Sequence, residues 1–414
     1  MCALLGISIP FQTSLNACSS NKDDDIPTNF SGKVIIIGAG PAGMTTGYLL
    51  AQRGVDFEIL EALPTLGGRI KTNTTFTDFP IPLGAEWLHV ERGVFSEIVN
   101  DSSVNIDIKT TPYDLDNDVA IDGATGEQFD FRLSGFQIDQ KFINSSWLDF
   151  FKTYIVPSIQ GKIRYSSPVN AINYSTNKIN ITTDANTFEA DKVVFAAPLK
   201  VLQNQMVNFI PNLPIAKVNA INNTKVWSGF KAFFEFSEKF YPTVISYDIQ
   251  PEINGQKLYY DAAYGQNSNK NILGIFSVGL PAENFIAMDK TTFKNFVLSE
   301  LDTLFNNKAT SSYVNHITQN WNNEPYAQGA YVTDQEDYRN VEVLGQSVNN
   351  KLYFAGDAYT TGEDWSSVHT APASIAKSYG VVDQVMKDGK ISDTGLDSKA
   401  SIKFHKDYVA MVQE

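Results

Sequence analysis

Between Lys33 and Glu61 the chain runs through a β-branched strand, a glycine-rich turn, a helix and a second strand, an order few folds accept. Lys33–Ile37 (KVIII) is continuously apolar, which suits a parallel strand covered on both faces. Gly38-Ala39-Gly40-Pro41-Ala42-Gly43 follows and fits G-x-G-x-x-G. The first glycine permits the tight turn, the second admits a pyrophosphate to the backbone, and the third lets helix and strand pack closely. Met44, Tyr48, Leu49 and Leu50 recur at helical spacing until Gly54, and Val55–Leu60 reads as a second strand ending at Glu61. Glu61, eighteen residues past Gly43, is placed to accept hydrogen bonds from a ribose 2′-OH and to repel a 2′-phosphate. The helix N-terminus offers free N–H groups to phosphates. A purely structural glycine turn is the alternative, but it does not explain the terminal acid.

The rest of the composition narrows the chemistry. Acidic residues outnumber basic ones, 46 to 32, for a net charge of −14 over 414 residues, the opposite of what a nucleic-acid binder needs. The two cysteines are Cys2 and Cys18, so the body can form neither a disulfide nor a thiolate zinc site. The histidines His89, His316, His369 and His405 lack metal-ligand spacing, and no metal is expected. No apolar run is long enough for a membrane-spanning helix. The chemistry is therefore expected from an organic cofactor.

The segment 3–15 is mildly apolar and leads into Leu15-Asn16-Ala17-Cys18, then a polar Ser/Asn/Lys/Asp stretch. That order resembles the processing box of a bacterial lipoprotein, with lipid attached at Cys18, and implies an exported, membrane-anchored protein. A leader on a cytoplasmic protein is the alternative.

Further along, strand-like segments are expected at Val169–Tyr174, Lys178–Thr183, Thr187–Glu189 and Lys192–Ala196, read together as a meander. Gly229–Phe236 alternates, 256–280 adds strands, 289–306 has helical spacing, and Leu352–Ala355 and Ala371–Lys387 read as strand and helix. The expected class is α/β. A Rossmann-like cofactor domain is built from 32–95, 160–212 and 330–395, and an α+β substrate domain from 96–159 and 213–329, after a leader at 1–31.

The fingerprint alone does not separate FAD from NAD. Leu66-Gly67-Gly68-Arg69 and Tyr353-Phe354-Ala355-Gly356-Asp357 do. Arg69 can reach a diphosphate or ribityl chain, and Asp357 can accept from ribityl hydroxyls. A cofactor gripped from both ends of the chain is long, which suits FAD.

With these pieces in place, the sequence resembles the flavin-containing amine oxidase family from about residue 33 to 380. The matching segments are GAGPAGM at 38–44, Glu61, LGGRIKT at 66–72, PLGAEWLH at 82–89, PVNAI at 168–172 and AAPLKVL at 196–202. They continue with KAFFEFSEKFYP at 231–242, WNNEPYAQGAY at 321–331 and LYFAGDAYTTGEDWSS at 352–367. The resemblance implies an enzyme that oxidises a small-molecule amine and passes electrons to O2. It implies that Ala62 and Gly68 join the cofactor contacts, that Val169 meets the adenine side, and that Gly84, Ala85, Glu86 and Trp87 line the flavin's approach. Trp321 and Trp365 would flank the ring, with Val368 beside it where the family has a second cage aromatic. Lys231 would hold a water near N5, Tyr331 would wall the substrate cage, and His89 would lie near the active site. From the residues alone, Lys231 could equally face solvent, Tyr331 could be core, and His89 could be a satisfied surface histidine. Ala330 stands where a thioether-forming cysteine occurs in monoamine oxidases, so FAD is expected to be non-covalent. From His89 to Val169 there are 80 residues, fewer than the family usually has there. The alternatives are a related flavoprotein acting on C–C bonds and a non-catalytic FAD-binding relative. Oligomeric state is not legible.

Overall fold

A computed structural model describes residues 30–137, 139–247, 254–333, 338–360 and 371–386. Cys18, Trp365, Val368 and His369 therefore lie outside the described residues. A parallel five-stranded sheet carries the cofactor half, in the order Ile163–Arg164, Asp56–Leu60, Lys33–Ile37, Lys192–Phe195, Leu352–Phe354. Lys33–Ile37 sits at its centre and is covered on both sides. Val34 and Ile36 point into one core with the helices Pro41–Gln52 and Ala371–Met386, while Ile35 and Ile37 point into another with Ile172, Ile181 and Phe209. This is the strand alternation of period two acting inside a sheet without a solvent face.

Lys192–Phe195 corrects the expected meander. Its residues are buried throughout, and it pairs in parallel with Lys33–Ile37 and with Leu352–Phe354. The meander's other three strands form a separate sheet with Asn208–Ile210 against the second face.

The substrate half is a seven-stranded sheet in the order Tyr313–Asn320, Gly229–Phe236, Asn271–Gly279, Gly255–Asp261, Val244–Ser246, Ala120–Asp122, Gln128–Phe129. Gly229–Phe236 is an interior strand and nearly all of it is buried. Phe230, Ala232, Phe234 and Phe236 pack towards the helices Leu280–Ile286 and Lys290–Leu304, so Lys231 and Phe233 face the other way. Asp289 caps the second of these helices by accepting from the N–H groups of Thr291 and Thr292.

One boundary differs from the sequence reading. Trp147, Leu148, Phe150, Phe151, Ile155 and Ile159, assigned to the substrate half, pack in the cofactor-side core with Phe57 and Ile59. The short strand Trp87–Leu88 pairs with Gln140–Phe142 and so ties the two halves together.

Candidate active site

A cavity of about 630 Å³ runs from the glycine-rich turn to the interior strands Gly229–Phe236, Gly255–Asp261 and Asn271–Gly279 of the substrate sheet. Gly38, Gly40, Pro41, Ala42, Glu61 and Ala62 line one end; Trp87, His89, Lys231, Trp321 and Tyr331 line the other. Gly68, Arg69, Gly84, Ala85, Glu86, Val169, Gly356 and Asp357 also reach its wall. Ala39 and Gly43 do not. Ala39 is buried, and its N–H donates to Glu61 Oε2 at 2.6 Å. A Cβ on Gly43 would stand 1.9 Å from the Gly38 carbonyl oxygen, so Gly43 secures helix-to-turn packing.

Gly40 behaves differently. A Cβ there would meet nothing within 4 Å and would project into open space. The helix it precedes has Pro41 in its first turn and no side-chain cap, which leaves its N-terminal N–H groups for a ligand. Glu61 is 7% exposed. It accepts from Ala39 N–H at 2.6 Å and from Leu63 N–H at 2.8 Å. Burial raises its pKa, against the opposing pull of these backbone donors and that of Ala62. An open cradle, uncapped N–H groups and a fixed carboxylate fit the pyrophosphate and ribose of a dinucleotide.

Arg69 and Asp357 were expected to reach separately for the cofactor. The structure joins them: Nη2 meets Oδ1 at 2.5 Å and Nη1 meets Oδ2 at 2.9 Å. Arg69 Nη1 also donates to the Ala330 carbonyl at 2.5 Å. This two-point pair clamps segments 288 positions apart at the cavity wall.

At the other end, Gly84 is required by close approach. A Cβ would stand 1.8 Å from the Arg69 carbonyl oxygen and 2.9 Å from the Trp321 ring. Trp321 Nε1 donates to the Leu83 carbonyl at 2.9 Å, fixing the ring against the same loop. Lys231 is only 3% exposed, so the solvent-facing alternative is excluded. Its ammonium donates to Glu86 Oε2 at 2.6 Å, to Pro82 O at 3.1 Å and to Gly84 O at 3.2 Å. All three of its donors therefore hold the 82–86 loop. Burial and the nearby Lys141 ammonium lower its pKa against the pull of Glu86. For Glu86, burial pushes upward, but two ammonium groups outweigh it and hold the carboxyl low.

His89 Nδ1 lies 2.6 Å from Asp139 Oδ1, and both side chains line the cavity. Burial lowers the imidazole pKa, but the Asp139 carboxylate overcomes this and raises it above 6.5. Tyr331 is half-buried on the cavity wall, not in a core. Sequence reasoning missed Asp139, Lys141 and Tyr260. Asp139 and Lys141 are two positions apart around the strand Gln140–Phe142, and such spacing was the one local signal available.

A dinucleotide cradle continuous with an aromatic and charged chamber defines a cofactor-dependent oxidoreductase of two-domain build. A family model for flavin containing amine oxidoreductase matches residues 152–374, and one for NAD(P)-binding Rossmann-like domains matches 36–101. The chain belongs to the flavin containing amine oxidoreductase family. Polyamine oxidase 2 of Arabidopsis thaliana is 24% identical over 432 residues, covering 82% of this chain and 86% of the relative. Lysine-specific histone demethylase 1B of Mus musculus is 21% identical over 419 residues, covering 80% of this chain but 51% of the relative, so the chain spans about half of that protein. A solved putrescine oxidase variant, redesigned in cofactor binding, superposes with TM-score 0.68 at 15% identity. It covers 86% of this chain and 98% of that one, a likeness of fold. The cofactor is FAD. It is held without a thioether, because residue 330 is alanine and no cysteine follows Cys18.

Proposed function

We propose that the chain oxidises a small-molecule amine carrying a further amine group, with O2 as electron acceptor. The observation that carries the reading is the single cavity joining Gly40 and Glu61 to Trp87, Lys231, Trp321 and Tyr331. FAD, when bound, accepts a hydride equivalent from the amine's α-carbon and passes two electrons to O2, giving H2O2; the imine product takes up water to release a carbonyl compound and an amine.

The protein's own residues supply the rest. The uncapped helix at Pro41 and the Glu61 carboxylate hold the dinucleotide. The Arg69–Asp357 clamp and the Trp321–Leu83 hydrogen bond fix the wall against which a flat ring can lie. Apolar lining and the nearby Lys231 ammonium favour the uncharged form of the reacting amine, because a cation there loses hydration and meets like charge. The Asp139 carboxylate, on the same cavity wall, is a counter-ion for a remote ammonium, with His89 as its partner when none is bound. The names of the relatives, polyamine oxidase and putrescine oxidase, support that substrate class.

The Leu15–Cys18 box supports export with a lipid on Cys18, and Cys18→Ser is expected to abolish incorporation of labelled fatty acid; unchanged incorporation would reject the anchor. For catalysis, the test is a peroxide-coupled screen of the purified yellow protein over monoamines, diamines, polyamines and amino acids. Turnover favouring diamines or polyamines is expected. A flavin-loaded protein that yields no peroxide with any amine would reject the reading.

A further inference from the structure

We infer that Lys141 is a positioning residue for the flavin's redox poise: by holding Oε1 of Glu86 it leaves the Lys141–Glu86–Lys231 cluster one positive charge in excess at the cavity wall, and that excess favours the negative charge which reduction brings to the cofactor. The inference rests on the flavin amine-oxidase reading above, and concerns a residue that does not itself reach the cavity.

The geometry begins with strand pairing. Trp87 stands opposite Lys141 in the register of Trp87–Leu88 with Gln140–Phe142, which brings the lysine beside Glu86. Lys141 Nζ donates to Glu86 Oε1 at 2.8 Å and to the Ala262 carbonyl at 3.0 Å. Lys231 takes Glu86 Oε2 at 2.6 Å, and the Tyr260 hydroxyl donates to the same oxygen. Lys141, Lys231 and Glu86 are each 3% exposed and Tyr260 is fully buried. One carboxylate thus serves two buried ammonium groups, where one ammonium would have balanced it. Water cannot screen the remainder, so its field reaches the chamber that Glu86 and Lys231 line.

Neighbouring charges do not cancel it. The Asp261 carboxylate is taken by Lys239 at 2.6 Å and turns only its backbone carbonyl towards Lys141. Asp139 is balanced by His89 as long as the imidazole is protonated, a form that the pairing itself favours. Tyr113 accepts from Trp87 Nε1 at 3.0 Å, and burial holds both Tyr113 and Tyr260 in the neutral phenol form. Desolvating two ammonium groups is costly, and a second lysine on one carboxylate, if merely structural, would be better replaced by an apolar residue. A role for the excess charge accounts for its presence. Positive groups fixed before reaction, at the place where negative charge develops, are a recurrent means of electrostatic stabilisation.

The test is the midpoint potential of the FAD-loaded protein, measured by reductive titration against a reference dye. Lys141→Met is expected to shift the reduction equilibrium about tenfold towards the oxidised form, ~30 mV for a two-electron couple. Lys141→Arg is expected to keep the wild-type value. The double variant Lys141→Met with Glu86→Gln restores a single positive charge and is expected to return the potential to wild type. An unmoved potential in Lys141→Met overturns the inference, and so does a shift that the double variant fails to reverse, which marks a merely structural role. Should Lys141→Met not load FAD, Glu86→Gln alone reads the same balance from the other side: the potential must rise, and a value unchanged or lower overturns the proposal. Failure of the underlying reading looks different, since no amine would then reduce the flavin of any form.

Discussion

Two buried glutamates stand at opposite ends of one cavity and are held in opposite ways. Glu61 accepts from backbone N–H groups of Ala39 and Leu63, within the same β-α-β unit, and burial raises its pKa. Glu86 is enclosed by Lys141 and Lys231, from two distant strands, and its pKa is lowered despite burial. Neutral donors fix a carboxylate cheaply and locally, which suits recognition of a neutral ribose. Ammonium partners must be brought from far along the chain and leave a field behind, which suits a place where charge changes during reaction.

This contrast can be broken by substitution. The largest effect is expected at the dinucleotide end. Gly40→Val adds a side chain that meets no protein atom within 4 Å at its Cβ, so folding persists while FAD binding is lost. Flavin content and circular dichroism check it, and a variant that still purifies yellow would place the pyrophosphate elsewhere. Next is Glu86→Ala, which leaves two buried ammonium groups without their counter-ion and is expected to cost about 3–5 kcal/mol. Denaturant unfolding that shows no loss would mean the lysines do not depend on Glu86.

Glu61→Ala removes one acceptor for two backbone N–H groups, at about 1–3 kcal/mol, and weakens FAD retention roughly tenfold. Retention equal to wild type would show that Glu61 does not hold the ribose. The smallest effect belongs to His89. Its folded pKa lies above the unfolded value of 6.5, so the Asp139 pairing adds stability fully below that value and loses it as pH rises through the folded pKa. The stability gap between wild type and His89→Gln is therefore expected to be wider at acidic than at alkaline pH. Equal gaps would separate His89 from Asp139.

The same contrast explains what the sequence reveals. The Glu61 end was legible because every part of it lies within one short stretch whose order is set by local rules: Gly38, Gly40 and Gly43 at fixed spacing, a helix start, and an acid closing the second strand. Lys192–Phe195 was misplaced because KVVF reads equally as a meander strand or a parallel one, and only its partners Lys33–Ile37 and Leu352–Phe354 decide. At the other end, Lys231 and Glu86 were each legible as residues of interest, but their pairing was not. Glu86, Lys141 and Tyr260 meet through sheet register across long sequence separations, and no local pattern encodes that meeting. The packing of residues 147–159 with Phe57 and Ile59 was not legible for a related reason: an apolar helix shows that it is buried, not against which core.

The chamber beside Glu86 is expected to bring an amine to the flavin. Anaerobic mixing of the FAD-loaded protein with a diamine tests it most directly, followed by visible absorbance. The oxidised-flavin band is expected to bleach, then to return on admission of O2 with one H2O2 per amine consumed. A band that stays oxidised with every amine, yet bleaches with a chemical reductant, would contradict that role of the chamber.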